Sequence, residues 1–362
     1  MKYLAVLGRQ PEISVAELEA LFGEIKKVSN KLAVFKSEKK PEIDRLGGCM
    51  KLAELIDEKP LDLLRRMPEG KITLGISDYS HGASRKSATI ESLKLKKILV
   101  RHGRSVRVIE NKDATISTAT SLHNGLSGKN ERKIELIKVN GEWYKVIGVQ
   151  DIEAYAKRDQ ARPARDAKVG MLPPKLAQVL INLCGDLPKG SRILDPFCGT
   201  GVVLQEALLM GYKAYGTDIN ERMVEYSDKN MKHFGFTDYE VEVGDATNHD
   251  WQGKIDAVAC EGYLGKPMST VPVEIKLKTE EQECKAIIIG FLKNLSAKIS
   301  SGTPVVIAVP AWLREDGKYS RLEILDEISD MGYNVYNKSR EGLLYHREGQ
   351  IVARDIIILR KD

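Results

Sequence analysis

The chain has 362 residues, 42% hydrophobic and 30% charged, with 56 Lys and Arg against 51 Asp and Glu. That length accommodates two or three domains, and no apolar run reaches the roughly 20 residues that a membrane helix needs. The charge is uneven: residues 1–168 hold 33 Lys and Arg against 23 Asp and Glu, and the remainder 23 against 28, which directs the first half toward a polyanion.

In chain order, residues 3–7 read as a strand, followed by a helix whose start Ser14 and Glu17 mark as a capping box. Residues 32–35 read as a strand and 49–56 as a helix, completing a small α+β module over residues 1–70. Residues 71–77 open a second module, 71–150, as a strand with alternating apolar positions. A basic helix over 90–100 follows, then a strand over 105–109 and a helical stretch within 115–126. A hairpin of 135–139 with 143–150 turns at Asn140 and Gly141. Residues 151–172 form a polar connector rich in Arg, Lys, Asp and Pro. From 173 to 362 buried strands alternate with helices, at 192–194, 214–217, 239–243, 256–259, 304–309, 333–336 and 355–359. Seven strands with interposed helices predict a doubly wound α/β sheet, with its ligand at the strand carboxyl ends near the topological switch.

Five cysteines, Cys49, Cys184, Cys198, Cys260 and Cys284, form no C-x-x-C pair. They predict reduced thiols in a cytoplasmic protein and no metal site. The first apolar run is too short for a signal peptide, and there is neither a repeat nor a low-complexity tract.

The densest chemistry lies in D-P-F-C-G-T-G, residues 195–201, between an apolar strand and a helix. Glycines there permit positive φ and close approach of a ligand, and the helix start offers unpaired N–H groups. A dinucleotide site is the first competitor, but no G-x-G-x-x-G is present and Asp195 would repel a pyrophosphate. A cofactor with a cationic amino-acid end suits that acid better. S-adenosylmethionine has such an end, and the stretch resembles motif I of class I methyltransferases in the form typical of RNA and DNA amino-group methylases. On this reading Asp195 holds the methionine ammonium through intermediary contacts, Asp218 accepts the ribose hydroxyls, and Asp245 accepts the adenine amino hydrogens. Phe197, Cys198, Gly199, Thr200, Gly201, Ile219 and Ala246 complete the cofactor set.

The fourth strand of this half ends in A-C-E-G-Y-L-G-K-P. Amino-group methylases carry D-P-P-Y or N-P-P-Y here, whose first residue accepts from the target amine and whose aromatic stacks on the flipped base. One alignment puts Glu261 at the acid and Gly262, Tyr263 and Leu264 at the next three positions; a slide by one restores Tyr263 as the aromatic but places Cys260 at the acid. Glu261 is preferred as acceptor, with Tyr263 or a residue elsewhere supplying the stack. A nucleophilic role for Cys198 or Cys260 is disfavoured, since neither has a neighbouring base in sequence to lower its pKa.

Taken together, the chain resembles the THUMP-domain tRNA guanine-N2 methyltransferases that act on guanosine 10. The resemblance rests on Y-L-A-V-L-G-R-Q-P-E-I-S near the start, K-I-T-L-G-I-S and A-T-S-L-H-N in residues 71–150, and the connector with Arg158, Asp159, Arg162, Pro163, Arg165, Asp166, Ala167, Lys168 and Gly170. It implies a Rossmann-like class I methyltransferase domain with a seven-stranded sheet over 173–362, preceded by an α+β N-terminal module and a THUMP-like RNA-binding domain. It also implies that residues 170–175 roof the cofactor pocket, that tRNA is the partner, and that no membrane or metal is involved. A monomer is favoured. Arg85, Lys86, Lys94, Lys97, Arg101, Arg104 and Arg107, with Glu91 the single acid of residues 81–107, together with Arg158, Arg162 and Arg165, are the expected RNA contacts. Two alternatives stay open: an RNA-binding homologue altered at Cys260–Gly265, or an amino-group methylase acting on rRNA or DNA.

Overall fold

The computed structural model describes residues 1–166, 171–337 and 342–362, so Ala167, Lys168 and Gly170 of the connector lie outside the described residues. The chain divides into two compact units, Met1–Ala156 and Lys157–Asp362.

The first unit contains β1 (Lys2–Leu7), α1 (Pro11–Phe22), β2 (Ile25–Ser29), β3 (Leu32–Lys36), β4 (Cys49–Leu55), α2 (Pro60–Arg66), β5 (Ile72–Asp78), α3 (Arg85–Arg101), β6 (Val106–Val108), α4 (Thr118–His123), β7 (Lys133–Val139) and β8 (Glu142–Val149), and α5 (Ile152–Gln160) leads out of it. One eight-stranded sheet takes the strands in the order β2-β3-β1-β4-β8-β7-β5-β6. Residues 1–70 and 71–150, expected as separate modules, therefore share a sheet through the antiparallel pair β4 and β8.

Two local expectations are corrected here. The stretch 49–56, expected as a helix, holds strand β4 over Cys49–Leu55: Cys49 and Leu52 enter one apolar layer with Tyr3 and Leu7, while Ala53 enters another with Leu4 and Val6. A mid-sheet strand covered on both faces loses the alternation that marks a half-buried one. The capping box is not formed either. Pro11 sets the first turn of α1, leaving Ser14 inside the helix, where its Oγ donates to Gly48 O at 2.6 Å, and Glu17 accepts from the Gly47 and Gly48 amides at 2.9 and 2.8 Å. At mid-sheet, Lys51 Nζ donates to both oxygens of Glu135, at 2.6 and 2.8 Å, and to Ser121 Oγ and Ile116 O at 2.8 Å each.

The second unit holds α6 (Pro174–Leu183), β9 (Arg192–Asp195), α7 (Val202–Leu209), β10 (Lys213–Asp218), α8 (Glu221–His233), β11 (Tyr239–Val243), β12 (Ala257–Glu261), α9 (Glu274–Ser296), β13 (Pro304–Leu313), β14 (Tyr319–Arg321), α10 (Leu325–Asp330), β15 (Tyr333–Val335), β16 (Leu344–Tyr345) and β17 (Val352–Lys361). The sheet path is β11-β10-β9-β12-β13-β17-β15, with β14 beside β13 and β16 beside β17. Its first five strands are parallel, and β17 is antiparallel to both neighbours. The seven-stranded path agrees with the sequence pattern; the two extra pairs are too short to have left one. Strand order reverses between β9 and β12, which puts the crevice expected for a ligand at the ends of those two strands. Among the described residues, no helix is long and apolar enough to cross a membrane.

Candidate active site

Asp195 ends β9 and is 2% exposed. Its Oδ1 accepts from the Phe197 amide at 3.1 Å, which tightens the turn leaving the strand. Asp218 ends the adjacent β10 and accepts from the Gly199 amide at 3.0 Å and the Asn220 amide at 2.9 Å. Burial pushes both carboxyls above the usual carboxylate range, and for Asp195 the charges of Asp218 and Glu261 push the same way. Two acids so placed are stabilised as anions by a cationic or hydrogen-donating ligand.

Gly199 and Gly201 have φ of 51° and 81°, so the turn needs residues without a Cβ penalty. Gly201 caps the start of α7, and α8 fixes the turn from behind. Ser227 Oγ donates to Gly199 O at 2.8 Å, while Asn230 Nδ2 donates to Thr200 O at 2.9 Å and to Ala164 O at 3.0 Å. Around Gly199, by contrast, a Cβ would meet nothing within 4 Å. The turn is thus packed on one side and open on the other.

Beyond Asp218 the surface is apolar: Ile219 is 72% and Val243, at the end of β11, is 50% exposed. Asp245 is half-buried and its Oδ1 accepts from the Thr247 amide and hydroxyl at 2.9 and 2.8 Å. Ala246 is buried, its carbonyl held by Asn294, and Cys198 is a buried thiol whose pKa burial raises. Phe197 is edge-on to Phe291 at 5.2 Å. Two acids, an open glycine turn and a bare apolar shelf fit a ligand with a cationic end, a diol and a heterocycle. The donor chemistry expected for S-adenosylmethionine is therefore present.

Glu261 ends β12, next to β9 in the sheet. Its carboxylate accepts from Arg354 Nε of β17. Burial raises the Glu261 pKa, and Arg354 acts against that rise through charge and hydrogen bond. Tyr263 is half-buried against the core, and its hydroxyl donates to Glu283 at 3.1 Å. Gly265, at φ 82°, lies so close to α9 that a Cβ would stand 2.9 Å from Glu280 Oε2. Cys260 is buried and its thiol pKa is raised, the opposite of an activated nucleophile. Arg354 was not singled out from the sequence; the available signal was a charged pair, Arg354 and Asp355, directly before the apolar run of residues 356–359.

The expected RNA contacts separate into two groups. Lys86, Lys94, Lys97, Arg101, Arg107 and Arg165 are exposed, as is Arg85, which pairs with Glu110 at 2.6 Å. Three arginines are engaged by acceptors of the chain itself. Arg104 donates to the carbonyls of Met67 and Pro68 at 3.0 and 2.7 Å, closing the end of α2. Arg158 Nε donates to the buried Glu206 at 2.9 Å. Arg162 is 3% exposed and donates to Thr200 Oγ1 at 3.2 Å and Asp159 at 2.9 Å. Buried and turned to the glycine turn, Arg162 does not face RNA, and the expectation for it is corrected accordingly.

Comparison with known proteins finds methyltransferases. A methyltransferase-domain family model matches residues 187–319, and a DNA methylase model matches 101–229. The tRNA (guanine(10)-N2)-dimethyltransferase of Pyrococcus abyssi is 32% identical over 296 residues, 76% of this chain and 81% of that protein. Its counterpart from Methanothermobacter thermautotrophicus is 36% identical over 157 residues, 43% of this chain, a match spanning less than half of that protein at 44%. Among solved structures, TrmN from Thermus thermophilus aligns over 100% of both chains with 18% identity and a TM-score of 0.48.

Proposed function

The chain belongs to the tRNA guanine-N2 methyltransferase family, and on that premise we propose that it methylates the exocyclic N2 of guanosine 10 in tRNA, once or twice. S-adenosylmethionine supplies a methyl group on a cationic sulfur. The observation that carries the reading is the convergence of Asp195, Asp218 and Glu261 on the ends of β9, β10 and β12, neighbours in one sheet beside the open glycine turn.

In this reading Asp195 faces the ammonium end of the cofactor, Asp218 its ribose diol, and Ile219 and Val243 form the shelf under its heterocycle. The guanine leaves its stack to reach the site. Glu261 accepts a hydrogen bond from the amine, aligns the nitrogen lone pair, and takes up the proton that the nitrogen gives up. Tyr263 borders the base. The exposed cations Lys86, Lys94, Lys97 and Arg101 on α3, with Arg107 and Arg165, hold tRNA phosphates and contribute affinity rather than base specificity. Five free, buried cysteines accord with a cytoplasmic setting.

The test is incubation with a labelled methyl donor and unmethylated tRNA, followed by digestion and nucleoside mapping. N2-methylated guanosine at position 10 supports the proposal. Label elsewhere on RNA, or on DNA, changes the substrate, and tRNA binding without label reduces the chain to an RNA-binding protein. Glu261→Gln lowers kcat by about 100-fold or more, the range of a lost general base; full activity in that variant removes Glu261 from the mechanism.

A further inference from the structure

Arg354 stands near the start of β17, opposite Pro310 of β13, and Glu261 ends β12 opposite Ala308 of the same strand. Because β17 runs against its neighbours, its first residues lie at the edge where the parallel strands end. The Arg354 side chain crosses β13 to reach Glu261, 93 residues away in sequence. Both partners are withdrawn from water, with side chains 7% and 17% exposed. Among the described residues this is the one ion pair that involves Glu261.

We propose that Arg354 is a positioning residue for methyl transfer: it fixes the Glu261 carboxylate at the end of β12 and supplies its counter-charge, so that the target amine meets an acceptor. This rests on the reading of Glu261 as the amine's acceptor. The need for such a residue follows from the surroundings. Asp195 ends the neighbouring β9, and its carboxyl is pushed up by burial first and then by the charges of Asp218 and Glu261. Cys260, the chain neighbour of Glu261, is a buried thiol with a raised pKa. On β17 the next residue, Asp355, pairs with Arg321 at 2.9 Å, and among the described residues Arg354 is the cation paired with Glu261. Burial favours the protonated form of Glu261, and Arg354 opposes it through its charge and hydrogen bond. A protonated Glu261 would present a hydroxyl that donates where the amine needs an acceptor.

The experiment compares the full-length wild type with Arg354→Gln and Arg354→Lys. One readout is the pH profile of single-turnover methyl transfer to tRNA. The other is the carboxyl 13C titration of glutamate-labelled protein, with the Glu261 signal assigned by its absence in Glu261→Gln. Loss of the arginine raises the acid limb and the Glu261 midpoint together by about one pH unit or more. KM for tRNA stays within about threefold, because no binding contact is lost, and Arg354→Lys, which keeps the charge, falls between. A Glu261 midpoint in Arg354→Gln indistinguishable from wild type overturns the inference, even if turnover is slower. Should Arg354→Gln fail to fold, Arg354→Met, which keeps the aliphatic stem and removes the charge, decides on the same two readouts, with an unmoved midpoint and limb refuting the role. An inactive wild type whose Glu261 midpoint still depends on Arg354 refutes the proposed reaction and leaves the hold on Glu261 standing.

Discussion

Gly199 and Gly201 are two residues apart in one turn, and the structure gives them separable tasks. Both have positive φ, so alanine at either costs about 1–2 kcal/mol of backbone strain. A Cβ at residue 201 would also stand 2.8 Å from Ser227 Oγ and 3.2 Å from Met231 Cε. Ser227 Oγ holds Gly199 O at 2.8 Å, and displacing it forfeits about 1 kcal/mol more. Gly201→Ala therefore loses about 2–3 kcal/mol of stability. At residue 199 a Cβ meets nothing within 4 Å, so Gly199→Ala loses only the backbone part, about 1–2 kcal/mol. That open volume is the space assigned to the cofactor. Gly199→Ala then weakens binding of S-adenosylhomocysteine at least about tenfold, equivalent to 1.4 kcal/mol. Urea unfolding of the full chain gives the stabilities, and calorimetric titration gives the affinity. Binding by Gly199→Ala within about twofold of wild type, or a Gly201→Ala no less stable than Gly199→Ala, refutes the division.

Three further outcomes follow from the same geometry. Lys51→Met leaves Glu135 buried without its cation and destabilises the protein by about 3–5 kcal/mol, whereas Lys51→Met with Glu135→Leu recovers most of the loss; denaturant midpoints of the three proteins decide, and an equal or larger loss in the double variant contradicts the pairing. Arg162→Met reduces cofactor affinity and stability but leaves the salt dependence of tRNA binding unchanged, while Lys97→Ala and Arg101→Ala each lower that slope by about 1; a changed slope in Arg162→Met returns that residue to the RNA surface. Asp195 has a carboxyl pKa raised well above 3.8 by folding, so its contribution to stability is present at low pH and is lost as pH climbs through the raised value. Asn never ionises, and Asp195→Asn raises the melting temperature of the cofactor-free protein at pH 7.5 by about 2–4 °C while abolishing cofactor binding. A lowered melting temperature contradicts that sign.

Strands β9, β10, β11 and β12 of the second unit were legible because each is a short run closed by glycine or an acid, and the glycine turn announces itself by composition. What the sequence conceals is the destination of a side chain. Arg104, Arg158 and Arg162 read as RNA contacts from charge alone, yet each has an acceptor inside the fold that lies 36 to 48 residues away in sequence. Lys51 belongs to a strand mistaken for a helix for a related reason. A lysine in mid-element reads as a solvent face, and only the tertiary pairing with Glu135, 84 residues on, makes it interior. The partnership of Glu261 with Arg354 is of the same kind.

Residue 262 decides how the departure from D-P-P-Y is understood. In the resembled pattern a proline follows the acid, and proline has no N–H to give. Here Gly262 is buried and its amide donates to Ala308 O at 2.9 Å, extending the pairing of β12 with β13 one residue past Glu261. A Cβ at this position would sit 3.1 Å from Ile307 Cδ1 and 3.4 Å from Ala308 O, so the glycine also permits the close approach. Gly262→Pro removes the donor and crowds that carbonyl, with a loss of about 1–3 kcal/mol. If the glycine were merely a decayed family residue, the same substitution would improve turnover. The extended pairing argues for the reverse: it anchors the backbone that carries Glu261, and freeing it loosens the carboxylate from Arg354. Gly262→Pro is thus expected to be both less stable and slower in single-turnover methyl transfer, and a variant that gains rate at unchanged stability would show the family's loop to be intact beneath the altered letters.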